Sequence, residues 1–195
     1  MPAFAGGGNV LPPTAKPKGH SLADLAGETG IFNASGPAAR SEANEPEVPF
    51  QILYTSDANP SSTFEVRPGT MLYVPVVWSD DSAPILGDFP DVNDPEAVAD
   101  YYFNPDQLGA EFIEIEVDGN TTALEPEYSV GADVPGLPSG ATHYTVAAAV
   151  LTPFSKGTHT VTIRARFTGA AIAEFPEFFP GGVFEFSNTY TVIVD

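Results

Sequence analysis

From Phe50 to the C-terminus, apolar residues recur at every second position, and that period of two constrains the fold more than any other feature of the chain. Phe64 and Val66 alternate with Glu65 and Arg67. Past the turn Pro68-Gly69, the positions Leu72, Val74, Val76 and Trp78 fall on one side. Ile113, Ile115 and Val117 alternate with Glu114, Glu116 and Asp118, which reads as a half-buried strand with an acidic outer face. Val161, Ile163, Ala165 and Phe167 repeat the pattern against Thr160, Thr162, Arg164 and Arg166, and Phe184, Phe186, Tyr190, Val192 and Val194 supply a last face. Tyr144 to Leu151 is apolar throughout except for Thr145, as expected of a strand buried on both sides. Asp118-Gly119, Ser139-Gly140 and Gly181-Gly182 separate the runs as turns. About seven strands in about 145 residues predict an all-β fold, an antiparallel β-sandwich of immunoglobulin-like or jelly-roll type.

The period differs before residue 49. Residues 1–19 are rich in Gly and Pro and read as an extended arm. Ser21 to Phe32 is the helix candidate (21–32): Ser21 caps it, Asp24 completes a weaker capping box, Leu22, Leu25 and Ala26 share a face, and Gly30 is placed to end it. Residues 34–48 read as a linker. The division expected is an N-terminal arm with helix and linker over 1–48 and a single β-sandwich domain over 49–195. An insertion at 79–110 carries helix starts at Asp94-Pro95-Glu96 and Asn104-Pro105-Asp106. A second interruption, 168–182, contains Phe175-Pro176-Glu177-Phe178-Phe179-Pro180.

Charge excludes several functions. With 26 Asp and Glu against 7 Lys and Arg, the formal charge is −19. The 88 residues from 68 to 155 hold 15 of those acids and no base. Nucleic-acid binding relies on Lys and Arg neutralising phosphates, so no nucleic-acid partner is expected, nor attraction to an anionic membrane. The chain has no cysteine, which removes disulfides, thiolate metal sites and Cys nucleophiles. No apolar run approaches the ~20 residues that span a bilayer, so membrane insertion is not expected. Met1 to Gly8 lacks the basic and apolar regions of a signal peptide.

Several segments match an existing pattern in order. Lys16-Pro17-Lys18-Gly19-His20-Ser21-Leu22 leads into the helix; Arg67-Pro68-Gly69-Thr70 precedes Leu72 to Val76; Val117-Asp118-Gly119, then Leu151-Thr152-Pro153-Phe154-Ser155-Lys156-Gly157-Thr158-His159-Thr160-Val161, and finally Asn188 to Val192 follow. Over most of residues 16–194 the chain resembles a group of uncharacterised, mostly exported bacterial β-sandwich proteins. The resemblance implies an extracellular or cell-surface location and carries over no catalytic residue.

Four constellations bear on chemistry. Asp80, Asp81, Asp88, Asp91, Asn93, Asp94, Glu96 and Asp100 crowd into 21 residues. Ca²⁺ takes six to eight oxygens from a loop able to wrap it, which makes Asp91, Asn93, Asp94, Glu96 and Asp100 a candidate Ca²⁺ loop. The competing reading is a solvated acidic loop in which Asp94 only caps a helix. Pro95 in place of a ligand and the missing Gly exclude an EF-hand. His20, His143 and His159 show no zinc-ligand spacing, and His159 reads as a strand-end histidine at the core edge. No nucleophile elbow occurs, and Gly6-Gly7-Gly8 lacks the lysine and context of a phosphate loop. The aromatics of the two interruptions, Tyr101, Tyr102 and Phe103, and Phe175, Phe178 and Phe179, either pack over the open ends of the sandwich or form a contact surface. Trp78 is expected on the core side of its strand. Asn33-Ala34-Ser35 and Asn120-Thr121-Thr122 are glycosylation sequons.

The function these features support is non-enzymatic interaction or assembly by an extracellular or surface β-sandwich with a protein partner or further copies. A self-assembling shell, filament or capsid subunit, a carbohydrate-binding module and a carboxylate-dependent hydrolase are the alternatives.

Overall fold

Alternation in the sequence becomes nine strands in the computed structural model, which describes residues 9–195. In chain order the elements are α1 (Leu22–Ala34), β1 (Gln51–Ile52), β2 (Thr63–Val66), β3 (Leu72–Asp80), α2 (Pro95–Phe103), β4 (Ala110–Val117), β5 (Asn120–Ala123), β6 (Ser129–Asp133), β7 (His143–Leu151), β8 (Gly157–Phe167), α3 (Ala170–Ala173) and β9 (Phe184–Val194). One sheet has the order β1-β3-β7-β6 and the other β2-β9-β8-β4-β5, so the fold is a β-sandwich. It is not wholly antiparallel. β1 runs parallel to β3 and β2 parallel to β9, each as a short edge strand laid beside a long central one.

Both sheets bury the faces that alternation marked. Val161, Ile163, Ala165 and Phe167 from β8 meet Tyr190, Val192 and Val194 from β9 in the shared core. β7 is buried on both sides, as its unbroken apolar run requires, because α1 packs over its outer face and that of β6. Ser21 and Asp24 form the capping box, with the Ser21 amide donating to Asp24 Oδ2 at 2.8 Å and the Asp24 amide to Ser21 Oγ at 3.1 Å. The helix continues past Gly30 to Ala34. Gly30 serves close packing: a Cβ there would stand 3.0 Å from a Val134 methyl and 3.3 Å from the Tyr144 ring. Since Leu22, Leu25, Ala26 and Phe32 belong to the same core as the strands, α1 is part of the sandwich. Residues 9–11 of the expected arm are also tied down, with the Leu11 amide donating to Val150 O at 2.9 Å. Residues 1–8, with the Gly6-Gly7-Gly8 run, lie outside the described residues.

The insertion holds α2, capped by Asp94 with Pro95 in the first turn. Asn104-Pro105-Asp106 starts no second helix. Its Asn104 side chain instead accepts from the Asp106 amide at 2.9 Å and closes a turn. Tyr101 and Tyr102 are fully buried and extend the core over one end of the sandwich.

Trp78 departs from expectation. β3 carries a bulge between Pro75 and Val77, opposite Ala148 and Ala147 of β7. One extra residue reverses the parity beyond it, so Trp78 leaves the core and lies at the β3 edge that β1 does not reach, stacked on Tyr144 and 40% exposed.

Candidate functional site

The acidic insertion spends its carboxylates locally. Asp94 Oδ1 accepts from the amides of Glu96 at 3.0 Å and Ala97 at 3.3 Å. Asp91 Oδ1 accepts from the Asn93 amide at 2.9 Å, and Asp100 from the Asn104 side-chain amide at 3.1 Å. Glu96 lies in the first turn of α2, where the helix dipole favours a negative charge. Among the described residues no group of three or more His, Asp or Glu side chains is placed to hold a metal ion.

All three histidines pair with carboxylates, each in a different part of the fold. His20 meets Glu28 at 3.2 Å, His143 meets Asp81 at 2.6 Å and His159 meets Asp118 at 2.7 Å. His159 sits at the core edge as expected, against the Phe154 ring at 4.7 Å. The Asp118 bond lifts its pKa. The strand acids do not simply face water: Arg164 reaches Glu114 at 3.3 Å and Glu116 at 3.2 Å, and Arg166 reaches Glu111 at 2.8 Å and also Glu185.

One guanidinium has no such counterpart. Arg40, in the segment between α1 and β1, is half-buried and makes no ion pair among the described residues, and its Nε is buried without a hydrogen-bond partner. Burial depresses its pKa, against the favourable influence of the Tyr190, Tyr144 and Tyr54 hydroxyls. It lines a cleft of about 200 Å³ between the two sheets, beside Asn33, Tyr54, Trp78, Phe186 and Asn188. At and beneath this cleft lie further buried polar groups held only by loose contacts: Asn33 beside the Tyr144 phenol, Asn188 beside the Tyr190 phenol and the Tyr73 hydroxyl beside Thr29. The Asn33 amide nitrogen donates to Thr29 Oγ1 at 3.0 Å. Burial raises the Tyr144 phenol well above its ordinary pKa, and Tyr73, Asn33 and Arg40 all act on it, which places these groups together. Arg40 Nε is the group here with no partner at all among the described residues, and an unsatisfied buried polar atom costs about 1–3 kcal/mol.

A larger groove of about 690 Å³ adjoins the cleft at Tyr54 and runs past Glu42, Asn59 and Glu65. Its polar groups satisfy one another. Ser56 Oγ donates to Arg40 O at 2.6 Å, and Asn59 both donates to Thr63 O at 2.8 Å and accepts from its amide at 3.2 Å. The smaller cleft is therefore the better candidate site.

From Phe186 in the cleft, an aromatic row follows the inner face of β9 where sheet one no longer covers it. Phe186 and Phe184 lie 5.5 Å apart, Phe184 and Phe179 5.4 Å, and Phe179 and Phe178 6.5 Å between ring centroids. Phe178 is 60% exposed. Of the two aromatic stretches, Tyr101 and Tyr102 thus pack inside, and the one at 175–179 reaches the surface. Asn33 of the first sequon is buried at 2% exposure and closed to modification in the fold, whereas Asn120 is exposed.

Neither Arg40 nor the cleft was a sequence-level candidate. The available signal was that Arg40 is the only Lys or Arg between Lys18 and Arg67.

No helix among the described residues is long and apolar enough to cross a membrane. No family model and no curated protein matches the chain. Solved structures similar to it include the cysteine protease inhibitor EhICP2 from Entamoeba histolytica, at 16% identity and TM-score 0.34 over 77% of this chain and 99% of that one. Amebosin is another, at 12% identity and TM-score 0.27 over 76% of this chain and 100% of that one. Neither overlap is close enough to carry an argument about what this chain does.

Proposed function

We propose that the chain is a non-enzymatic β-sandwich that works by contact, in interaction or assembly, from an extracellular or surface position. The aromatic row from Phe186 to Phe178, partly buried along β9 and exposed at Phe178, carries this reading together with the exposed Trp78. Aromatic surface is costly to leave in water, and aromatic anchors dominate protein contacts. The sheet edges favour contact through this face over strand addition. The four edge strands β1, β6, β2 and β5 have only two, five, four and four residues, too short to template further pairing well. The location rests on the resemblance alone.

Sedimentation velocity over a range of protein concentrations tests assembly. Self-association that Phe178→Glu weakens is the expected result, and a single monomeric species at every concentration would overturn it. A Ca²⁺-ordered version of the reading draws Asp91, Asn93, Asp94, Glu96 and Asp100 out of their present bonds and around an ion. A melting temperature raised by Ca²⁺ would support that version; calorimetry without heat would sink it.

A further inference from the structure

We propose that the cleft between Arg40 and Trp78 is a binding site for an organic carboxylate carried on a flat apolar body. This goes beyond assembly, since a small ligand can fill the cleft whether or not copies associate.

The arginines of the chain are unevenly partnered. In a chain with 26 acidic residues, the half-buried guanidinium of Arg40 finds no carboxylate among the described residues, while Arg164 and Arg166 find two each. Guanidinium and carboxylate match in planar, bidentate geometry, and the pair is strongest where water is excluded. Asn188 Nδ2, beside the Tyr190 hydroxyl, supplies a second donor from β9. Burial raises the pKa of the adjoining Tyr190 phenol, which keeps it protonated and able to donate. The buried Asn33 Oδ1 at the floor of the cleft accepts a hydroxyl or a water that accompanies the ligand.

The second half of the site selects the body of the ligand. A net charge of −19 repels anions at a distance, so a bare anion gains little by approaching. An apolar face supplies the missing free energy by covering Trp78 and Phe186 on the two walls. A space of about 200 Å³ suits a single ring with its carboxylate. Aryl carboxylates and sugar acids share the required anion and flat face, and they differ in how much apolar surface they bury.

Trp78 is the only tryptophan in the chain, so its fluorescence reports the site without a label. The test titrates the full chain with phenylacetate, with its neutral analogue 2-phenylethanol and with glucuronate. Phenylacetate is expected to change the Trp78 emission saturably and to bind about tenfold or more tighter than 2-phenylethanol, the factor a charged hydrogen-bonded pair supplies. Arg40→Gln should remove that difference and leave 2-phenylethanol unaffected. Saturation by glucuronate in place of phenylacetate assigns the site to sugar acids and upholds the carboxylate seat. A second readout needs no substitution: the Arg40 Nε–H resonance should shift on titration of the unaltered protein. No saturable change with either carboxylate, or equal affinity for phenylacetate and 2-phenylethanol, would overturn the proposal and leave ordered water as the occupant. Because sedimentation tests assembly and fluorescence tests the cleft, either reading can fail without the other.

Discussion

Asp81 and His143 face each other where β3 ends and β7 begins, with Asp81 Oδ2 2.6 Å from His143 Nδ1. The other oxygen of the same carboxylate accepts the backbone amides of Thr142 at 2.9 Å and His143 at 3.1 Å. A single side chain thus closes the end of the central strand pair in sheet one. Asp133 on β6 approaches the far side of the imidazole, Oδ1 to Nε2, at 3.4 Å and extends the clasp to a third strand.

This clasp should give the protein a pH-dependent stability with a definite sign. Burial pushes the Asp81 carboxyl up, but the His143 imidazole and the two amides outweigh it and hold the pKa at about 2. The Asp81 bond chiefly raises His143, and Asp133 and Asp91 add to it. A lowered Asp81 contributes stability that is present above its unfolded value and lost as pH falls through about 2. A raised His143 contributes stability that is complete below its unfolded value and lost as pH rises through its folded one. The two overlap fully from about pH 4 to about pH 6.5. The melting temperature should be highest there and decline above it, and His143→Gln should flatten that decline. By NMR the His143 midpoint should lie above 6.5 and move down toward it in Asp81→Asn. A wild-type midpoint at or below that value would refute the clasp.

Much of the fold follows from local pattern, because its causes are local. Ser21 and Asp24 stand three residues apart, so their capping box is legible in the chain, and so is the cap at Asp94. The core faces of β4, β8 and β9 are legible because alternation and burial coincide. What escaped depends on register. Trp78 changes side because of one bulge residue in β3, and the only mark in the apolar run is Pro75, which fits a bulge or an edge strand alike. Glu114 looks solvated in the sequence, and only the pairing of β4 with β8 sets it opposite Arg164. Arg40 escaped for the converse reason. Its significance is the lack of a partner, which appears only after every nearby acid has been placed elsewhere.

The cross-strand charges offer a test of that register. Arg164 Nη2 reaches both Glu114 and Glu116, at 3.3 and 3.2 Å, which are neighbours on one face of β4. Arg164→Met removes the attraction and leaves two carboxylates repelling. The site is partly exposed, so solvent screening limits the loss to about 0.5–1 kcal/mol. Urea unfolding should show that loss at low salt. It should shrink in 1 M NaCl, where screening acts over about 3 Å. A loss independent of salt would mean the arginine stabilises by packing.

Asp94 illustrates a carboxylate whose work is to end a helix. Its Oδ1 receives two amides of the first turn of α2. Asp94→Ala should cost about 1 kcal/mol in urea unfolding, and Asp94→Asn much less, since Asn caps nearly as well. Faster amide exchange at Glu96 and Ala97 should accompany the loss. Equal effects from both substitutions would show that charge matters there more than capping.

Gly131 gives the sharpest test of how the acidic insertion is held. It lies in β6, and a Cβ there would come within 2.5 Å of Val92 O and 2.7 Å of Val92 Cα. Val92 is buried at 6% exposure, so the insertion is seated on the sheet through the missing side chain. The obstacle is backbone, which cannot rotate aside as a side chain tip would. On intrinsic grounds alone, alanine should improve a strand position by about 0.5–1 kcal/mol over glycine. On contact grounds, Gly131→Ala should instead cost about 1–3 kcal/mol, because the insertion must lift. The two effects have opposite signs. Hydrogen exchange locates the effect: protection should fall at Val98 and Tyr102 in α2 and hold at Ile163 in β8. A stabilised Gly131→Ala variant would show that the insertion moves aside freely and that its seat on β6 contributes little.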